Sequence, residues 1–242
     1  MNRGSYFHTD DGGLLGEGRR RRCHRLADPG LCVKFYRDPS SLPPGTRLSI
    51  RLNIACGRRF RCANVNYREW RYHQSLQRQL PAELAAVFPE HTEPVRCSEK
   101  GWGIIETLIL NADGTLPQKV VDELKAARDP ALSLRIYTET ERLCRRLAEH
   151  SVCFFDPSNI LVQWTGPETF RLRIADIEPW CRTLVPWLSR CDFYVRCKVR
   201  RRASRYLARL RGLLSANGAS PERGERVPRP FFKRFAQRAG LV

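Results

Sequence analysis

Residues 151–178 read SVCFFDPSNILVQWTGPETFRLRIADIE. They predict a β-hairpin with polar side chains at its open end, opposite the turn. ILVQW (160–164) and FRLRIADIE (170–178) are strand candidates joined by a TGPE turn. In a hairpin the start of the first strand lies beside the end of the second strand, so we expect Asn159 and Asp176 to converge. Mg²⁺ prefers oxygen ligands of this kind. The segment therefore predicts a magnesium site, although an ordinary turn also explains Asp156-Pro157-Ser158-Asn159.

The composition is that of a globular protein. The 242 residues are 42% hydrophobic and 28% charged, and this length fits one large domain or two small lobes. No apolar run reaches the roughly 18 residues that a membrane span needs. The first residues, MNRGSYFHTDDGG, lack the apolar core of a secretory signal. We therefore expect a cytoplasmic location.

Ten cysteines are present, but their spacing is irregular and includes no C-x-x-C pair or Cys/His cluster with zinc spacing. We interpret them as reduced, mostly structural thiols. The net charge of +18 is concentrated near the C-terminus, where residues 181–242 hold 16 Lys and Arg against 3 Asp and Glu. Such a tail attracts nucleic acid, anionic lipid or phosphorylated ligands without selecting among them, and a solvated basic surface is the plain alternative.

The order of predicted elements indicates an α+β protein with two lobes. Residues 14–26 predict an extended segment with a glycine turn, 31–37 and 102–110 predict strands, and 38–66 predict a long insertion or loop. Helices are predicted at 67–80, 117–128, 132–149 and in the basic stretch 186–215. We divide the chain into a leader (1–13), an N-lobe (14–110), a reduced C-lobe (111–215) and a loosely held tail (216–242).

Four further residues could bind phosphate or orient a group that does. Gly16 and Gly18 lie in a turn where backbone amides could approach phosphate oxygens, although taken alone they are better explained as a structural turn. Lys34, inside the apolar strand LCVKFYR, needs a partner once buried, because an unpaired ammonium is costly in a protein interior. Glu69, on the helix YREWRYHQSL, is a candidate partner for Lys34.

This ordered series of motifs resembles the protein-kinase fold. The motifs are G-x-G, V-K in a strand, a helical Glu, E-x-L at 106–108, P-x-N-I-L and I-A-D. LGEGRRRRCHRL with LCVKFY, REWRYHQSL and PSNILV are more narrowly similar to the bacterial YrbL family, kinase-like proteins named from the PhoP regulatory network. The resemblance covers about residues 14–180. It implies a small β-rich N-lobe and a reduced helical C-lobe.

The resemblance implies a role for each matched residue. Gly16 and Gly18 would cover the phosphates of ATP, and Lys34, paired with Glu69, would hold them. Residues 106–108 would contact adenine, with Glu106 and Leu108 as the hinge. Asn159 and Asp176 would hold Mg²⁺, and Asp156 would act as the catalytic base.

The sequence also departs from the kinase pattern. Arg21 stands at the third glycine of the phosphate loop, and D-F-G becomes Asp176-Ile177-Glu178. Five residues before Asn159 lies Phe154, which cannot accept a proton. Aligning Asp156 as the base instead puts Phe154 and Phe155 in place of His and Arg. Only 66 residues follow Asp176, too few for the usual helical lobe that grips a protein substrate.

Three functions therefore remain open from the sequence. The first is an ATP- and magnesium-dependent phosphotransferase acting on a small or membrane-surface acceptor. The second is a pseudokinase that binds nucleotide or a regulatory protein without turnover. The third is a basic protein that binds nucleic acid or an anionic membrane through its C-terminal stretch.

Overall fold

The computed structural model describes residues 13–18, 20–97, 100–152, 156–177 and 192–218. The chain separates into two compact units, Met1–Ile109 and Leu110–Val242. Most of the predicted leader, residues 219–242 of the predicted tail, and Phe154, Phe155 and Glu178 lie outside the described ranges.

The first unit contains a five-stranded antiparallel sheet in the order β1-β2-β3-β5-β4. Its strands are β1 (Leu14–Glu17), β2 (Arg21–Arg25), β3 (Leu31–Tyr36), β4 (His91–Cys97) and β5 (Gly101–Thr107). The strands predicted from 14–26, 31–37 and 102–110 are confirmed. Strand β4 had no sequence prediction, because Pro94 weakens the strand pattern. Proline is tolerated here since β4 lies at the edge of the sheet.

Three helices accompany this sheet: α1 (Leu48–Arg59), α2 (Val65–Gln79) and α3 (Ala82–Ala85). The helix predicted at 67–80 is confirmed as α2, which begins where the Asn64 side chain accepts a hydrogen bond from the Tyr67 amide. The loop prediction for 38–66 is wrong for α1. Frequent arginines obscure the apolar spacing of this helix, and its buried Ile54 packs with Tyr36 and Leu42.

The two faces of the first sheet differ in chemistry because neighbouring strand residues point to opposite sides. Val33 and Phe35 belong to an apolar cluster with Leu26, Cys97 and Ile105. Cys32, Lys34 and Tyr36 alternate with them along β3 and point the other way. That second face carries the buried charged side chains of Lys34 and Glu106.

The second unit combines a small sheet with three helices. The strands β6 (Gln118–Lys119), β7 (Ile160–Trp164) and β8 (Phe170–Ile174) are antiparallel in the order β6-β7-β8. The helices are α4 (Val120–Ala126), α5 (Pro130–Glu149) and α6 (Asp192–Ala216). The hairpin and the helix at 132–149 are confirmed, whereas 118–119 of the predicted helix at 117–128 form a strand instead. The protein is thus α+β, with a β-rich N-terminal sheet and a helical C-terminal part.

Helices α5 and α6 supply much of the apolar core of the second unit. Ile136 and Leu147 of α5, and Leu210 and Leu214 of α6, are fully buried. Among the described residues, no helix is both long enough and apolar enough to cross a membrane.

Candidate functional site

A cluster of buried charged side chains lies on one face of the first sheet. Lys34, Glu69 and Glu106 are only 9%, 0% and 5% exposed. Lysine and glutamate are almost never buried this deeply unless they are paired. Strand β3, helix α2 and strand β5 each contribute one of the three, so the fold builds the cluster from distant parts of the sequence.

Lys34 forms an ion pair with Glu106. The Lys34 Nζ lies 2.6 Å from Glu106 Oε1. Register explains the contact: Cys32 is paired with Glu106 across β3 and β5, so Lys34 lies two residues along the same face. Burial opposes ionisation of Glu106, but the Lys34 ammonium and then His91 together lower the pKa of this carboxyl.

Glu69 accepts a charge-assisted hydrogen bond from Arg21 of β2. Arg21 Nη1 also donates to Asn66 Oδ1 at 2.8 Å, one turn before Glu69 on α2. Arg21, which the sequence resemblance aligns with the third glycine of the kinase phosphate loop, is therefore an ionic partner of helix α2. Pairing of Glu69 with Lys34 stays a prediction, while Arg21 is a partner that the sequence analysis missed.

Two histidines complete this face of the sheet. His91 Nε2 lies 3.1 Å from Glu106 Oε2, an ion pair when the imidazole is protonated. The rings of His73 on α2 and His91 on β4 are 4.3 Å apart. Burial first, and the neighbouring His91 second, lower the pKa of His73 from 6.5 to about 4. Neither histidine was identified from the sequence: His73 lies within REWRYHQSL, where only Glu69 was assigned a role, and His91 lies in a segment without a motif.

Glu69, His91 and Glu106 offer ligand atoms that all lie within 4.8 Å of one another. These residue types could ligate a transition metal. However, Arg21 and Lys34 already neutralise the two carboxylates. A divalent cation would add two positive charges to a buried region that holds two balanced ion pairs. We therefore interpret the cluster as an ion-pair network.

The burial of His73 predicts that the stability of the protein depends on pH. The folded state binds a proton at His73 less readily than the unfolded chain, so stability falls as pH drops from about 6.5 to about 4. The contribution of this residue is about 3 kcal/mol across that window. We expect His73→Phe to remove this part of the acid sensitivity. Urea unfolding at pH 7, 5.5 and 4.5 measures the free energy of unfolding of wild type and variant. An equal loss of stability with falling pH in the two proteins would contradict the assignment to His73.

Gly16 and Gly18 lie in the β1–β2 hairpin, where the Gly18 amide donates to the Arg21 carbonyl at 2.8 Å. A Cβ built at Gly16 meets nothing within 4 Å, and one at Gly18 only reaches the Arg21 carbonyl oxygen at 3.6 Å. Neither glycine has a positive φ. The described fold therefore does not require glycine at either position.

The predicted hinge is at the end of β5. The Glu106 side chain points into the buried cluster, and the Leu108 amide donates to the Gly30 carbonyl at 2.8 Å. An adenine ring that accepted a hydrogen bond from the Leu108 N–H would have to compete with the Gly30 carbonyl. The adenine role of residues 106–108 stays a prediction.

In the second unit, Asn159 and Asp176 lie at the same end of the β7–β8 hairpin. The register pairs Ile160 with Ile174, and the Ala175 amide donates to the Asn159 carbonyl at 3.1 Å. Asn159 immediately precedes β7, and Asp176 follows β8 by two residues. This backbone arrangement is the one expected from the sequence.

Asp156 caps the short 3-10 turn Pro157–Asn159. Its carboxylate accepts hydrogen bonds from the Ser158 amide, at 3.1 Å, and from the Ser158 hydroxyl. The side chain is exposed. The plain turn interpretation therefore accounts for Asp156, and its role as a catalytic base stays a prediction.

Comparison with known proteins adds no family assignment. No protein-family model matches the chain, and no curated protein matches it at a significant level.

Proposed function

We propose that this chain is a kinase-like protein of the YrbL type that binds ATP with Mg²⁺. The observation that carries the proposal is the buried Lys34 ammonium on the middle strand of a five-stranded antiparallel sheet. Helix α2, one of the three helices that accompany this sheet, bears the buried Glu69. This combination of strand lysine and helical glutamate is what the sequence resemblance leads one to expect.

Stability alone is a poor reason to keep Lys34 and Glu106 in the core. A buried ion pair is often no more stable than well-packed apolar residues of similar volume. Buried ionisable clusters are accordingly enriched at functional sites. The Lys34 ammonium contacts Glu106 at 2.6 Å, and a phosphate oxygen, which is likewise an anionic acceptor, could take the place of that carboxylate oxygen.

The proposal assigns Mg²⁺ to the hairpin end of the second unit. Asn159 and Asp176 supply an amide and a carboxylate oxygen, and such ligands suit a magnesium ion that also binds substrate phosphates. Bound there, the ion would supply positive charge for a phosphate group. The chain's own residues would hold and orient it.

Binding without turnover is the second candidate function. It is favoured by Asp156, whose carboxylate is already used within its own turn. Phosphoryl transfer depends mainly on positioning and charge neutralisation, so Asp156 would contribute by orienting an acceptor hydroxyl. Turnover of radiolabelled ATP by wild type and Asp156→Asn separates the candidates: loss only in the variant supports the transferase, and no turnover in either supports the pseudokinase.

A thermal-shift assay tests nucleotide binding itself. At 100 times the dissociation constant, a ligand specific for the folded state stabilises by about 2.7 kcal/mol, which raises the melting temperature by about 5–10 °C for a chain of this size. We expect that rise with ATP and Mg²⁺, and its magnesium-dependent part should vanish in Asp176→Ala. Asp122→Ala, at an exposed position of α4, is the matched control. An unchanged melting temperature for wild type would contradict the proposal.

A further inference from the structure

Helix α1 is apolar on two opposite sides, and the sheet uses only one of them. Ile54 and Gly57 are buried on the inner side. On the outer side, Leu48 and Leu52 are 70% and 55% exposed, and Phe60 directly after the helix is 52% exposed. Leu48 and Leu52 are four residues apart, so they lie on one helical face. These three residues are half of the large hydrophobic residues that are exposed in the described part of the chain.

Arginines border these apolar side chains. Arg47, Arg51 and Arg59 are exposed. Across the described ranges none of the three forms an ion pair, although the Arg59 guanidinium lies 5.9 Å from the Phe60 ring centre. Residues 39–68 contain six arginines and no acidic residue. We call this surface the α1 face: Leu48, Leu52 and Phe60 with Arg47, Arg51 and Arg59.

We propose that the α1 face binds the surface of an anionic lipid bilayer. A helix with exposed leucines on one face, bordered by arginine and followed by an exposed phenylalanine, can lie in a membrane interface with its apolar side chains among the acyl chains. The arginines then contact anionic headgroups, which attract basic residues near the surface. An anionic bilayer therefore matches both the apolar side chains and the arginines of the α1 face.

Charge argues against the other occupants of this face. A second copy would bring the same unpaired arginines into contact with their equivalents. Residues 219–242 of the chain are also basic, with six Lys and Arg against two Glu. Nucleic acid would satisfy the arginines but leaves exposed leucines without a role, because phosphate binding is electrostatic. The bilayer is the partner that accounts for both the leucines and the arginines.

The experiment measures sedimentation of the full chain with vesicles of pure phosphatidylcholine and with vesicles containing about 30% phosphatidylserine. We expect preferential binding to the anionic vesicles. Leu48→Glu/Leu52→Glu should lower the partition coefficient by about tenfold for each leucine. Leu14→Glu/Leu116→Glu is the control, since it changes the same residue types and the same charge at exposed positions outside the α1 face.

Each alternative outcome has a defined meaning. If both leucine double variants lost the same amount of vesicle binding, the response would be to net charge only and the proposal would be overturned. Equal binding of wild type to neutral and anionic vesicles would also overturn it. Arg201→Gln/Arg205→Gln alters exposed arginines of α6, which form no ion pair within the described residues. If that variant abolishes binding while the α1 leucine variant retains it, α6 is the membrane surface and the α1 proposal is wrong.

Discussion

Glu106→Gln is expected to lower the free energy of unfolding at neutral pH by about 3–5 kcal/mol, because it removes one charge from a buried ion pair. The amide keeps the size of the side chain, so the loss reports charge rather than packing. Lys34 would then keep its ammonium in the interior without the carboxylate that lies 2.6 Å away. Chemical denaturation followed by circular dichroism at pH 7 measures the change.

Two controls separate burial from the general loss of an ion pair. Glu139→Gln removes the carboxylate of an exposed pair with Arg142 and should cost less than about 1 kcal/mol. Lys34→Met/Glu106→Leu removes both charges and should recover most of the lost stability. If the free energy of unfolding of Glu106→Gln were within about 1 kcal/mol of the wild-type value, the buried pair would not be important for stability.

Lys34→Met is expected to weaken binding of ATP with Mg²⁺ by about 10- to 100-fold. A hydrogen bond between charged groups is worth about 1.5–3 kcal/mol, which corresponds to that range of dissociation constants. Methionine keeps most of the apolar stem while it removes the ammonium. Equilibrium titration with a fluorescent ATP analogue gives the dissociation constant directly, so a change in stability does not enter the measurement as long as the variant is folded.

Lys119→Met is the matched control for this prediction. Lys119 is exposed in β6, so the same substitution there should leave nucleotide affinity unchanged. An equal dissociation constant for wild type and Lys34→Met would remove Lys34 from the proposed site. Loss of affinity in both variants would point to a general effect of net positive charge on binding of the anionic nucleotide.

Local sequence patterns predict the elements that have a clear period and clear ends. The β7–β8 hairpin follows from two apolar runs around TGPE, and α2 follows from an apolar stripe that stops at Pro81. Lys34 could be assigned to a strand because apolar residues flank it on both sides. In each case the signal lies within about ten residues of the element that it predicts.

The sequence by itself therefore determined the α+β class, the strand that carries Lys34 and the hairpin between Asn159 and Asp176. The tertiary structure alone decided which charges meet. Arg21 is one of four consecutive arginines, yet strand register selects it as a partner of Glu69, 48 residues away. His91, on an edge strand interrupted by Pro94, reaches Glu106 for the same reason. Ion pairs between distant residues depend on register and on packing across the sheet, and neither is encoded in the local spacing of residue types.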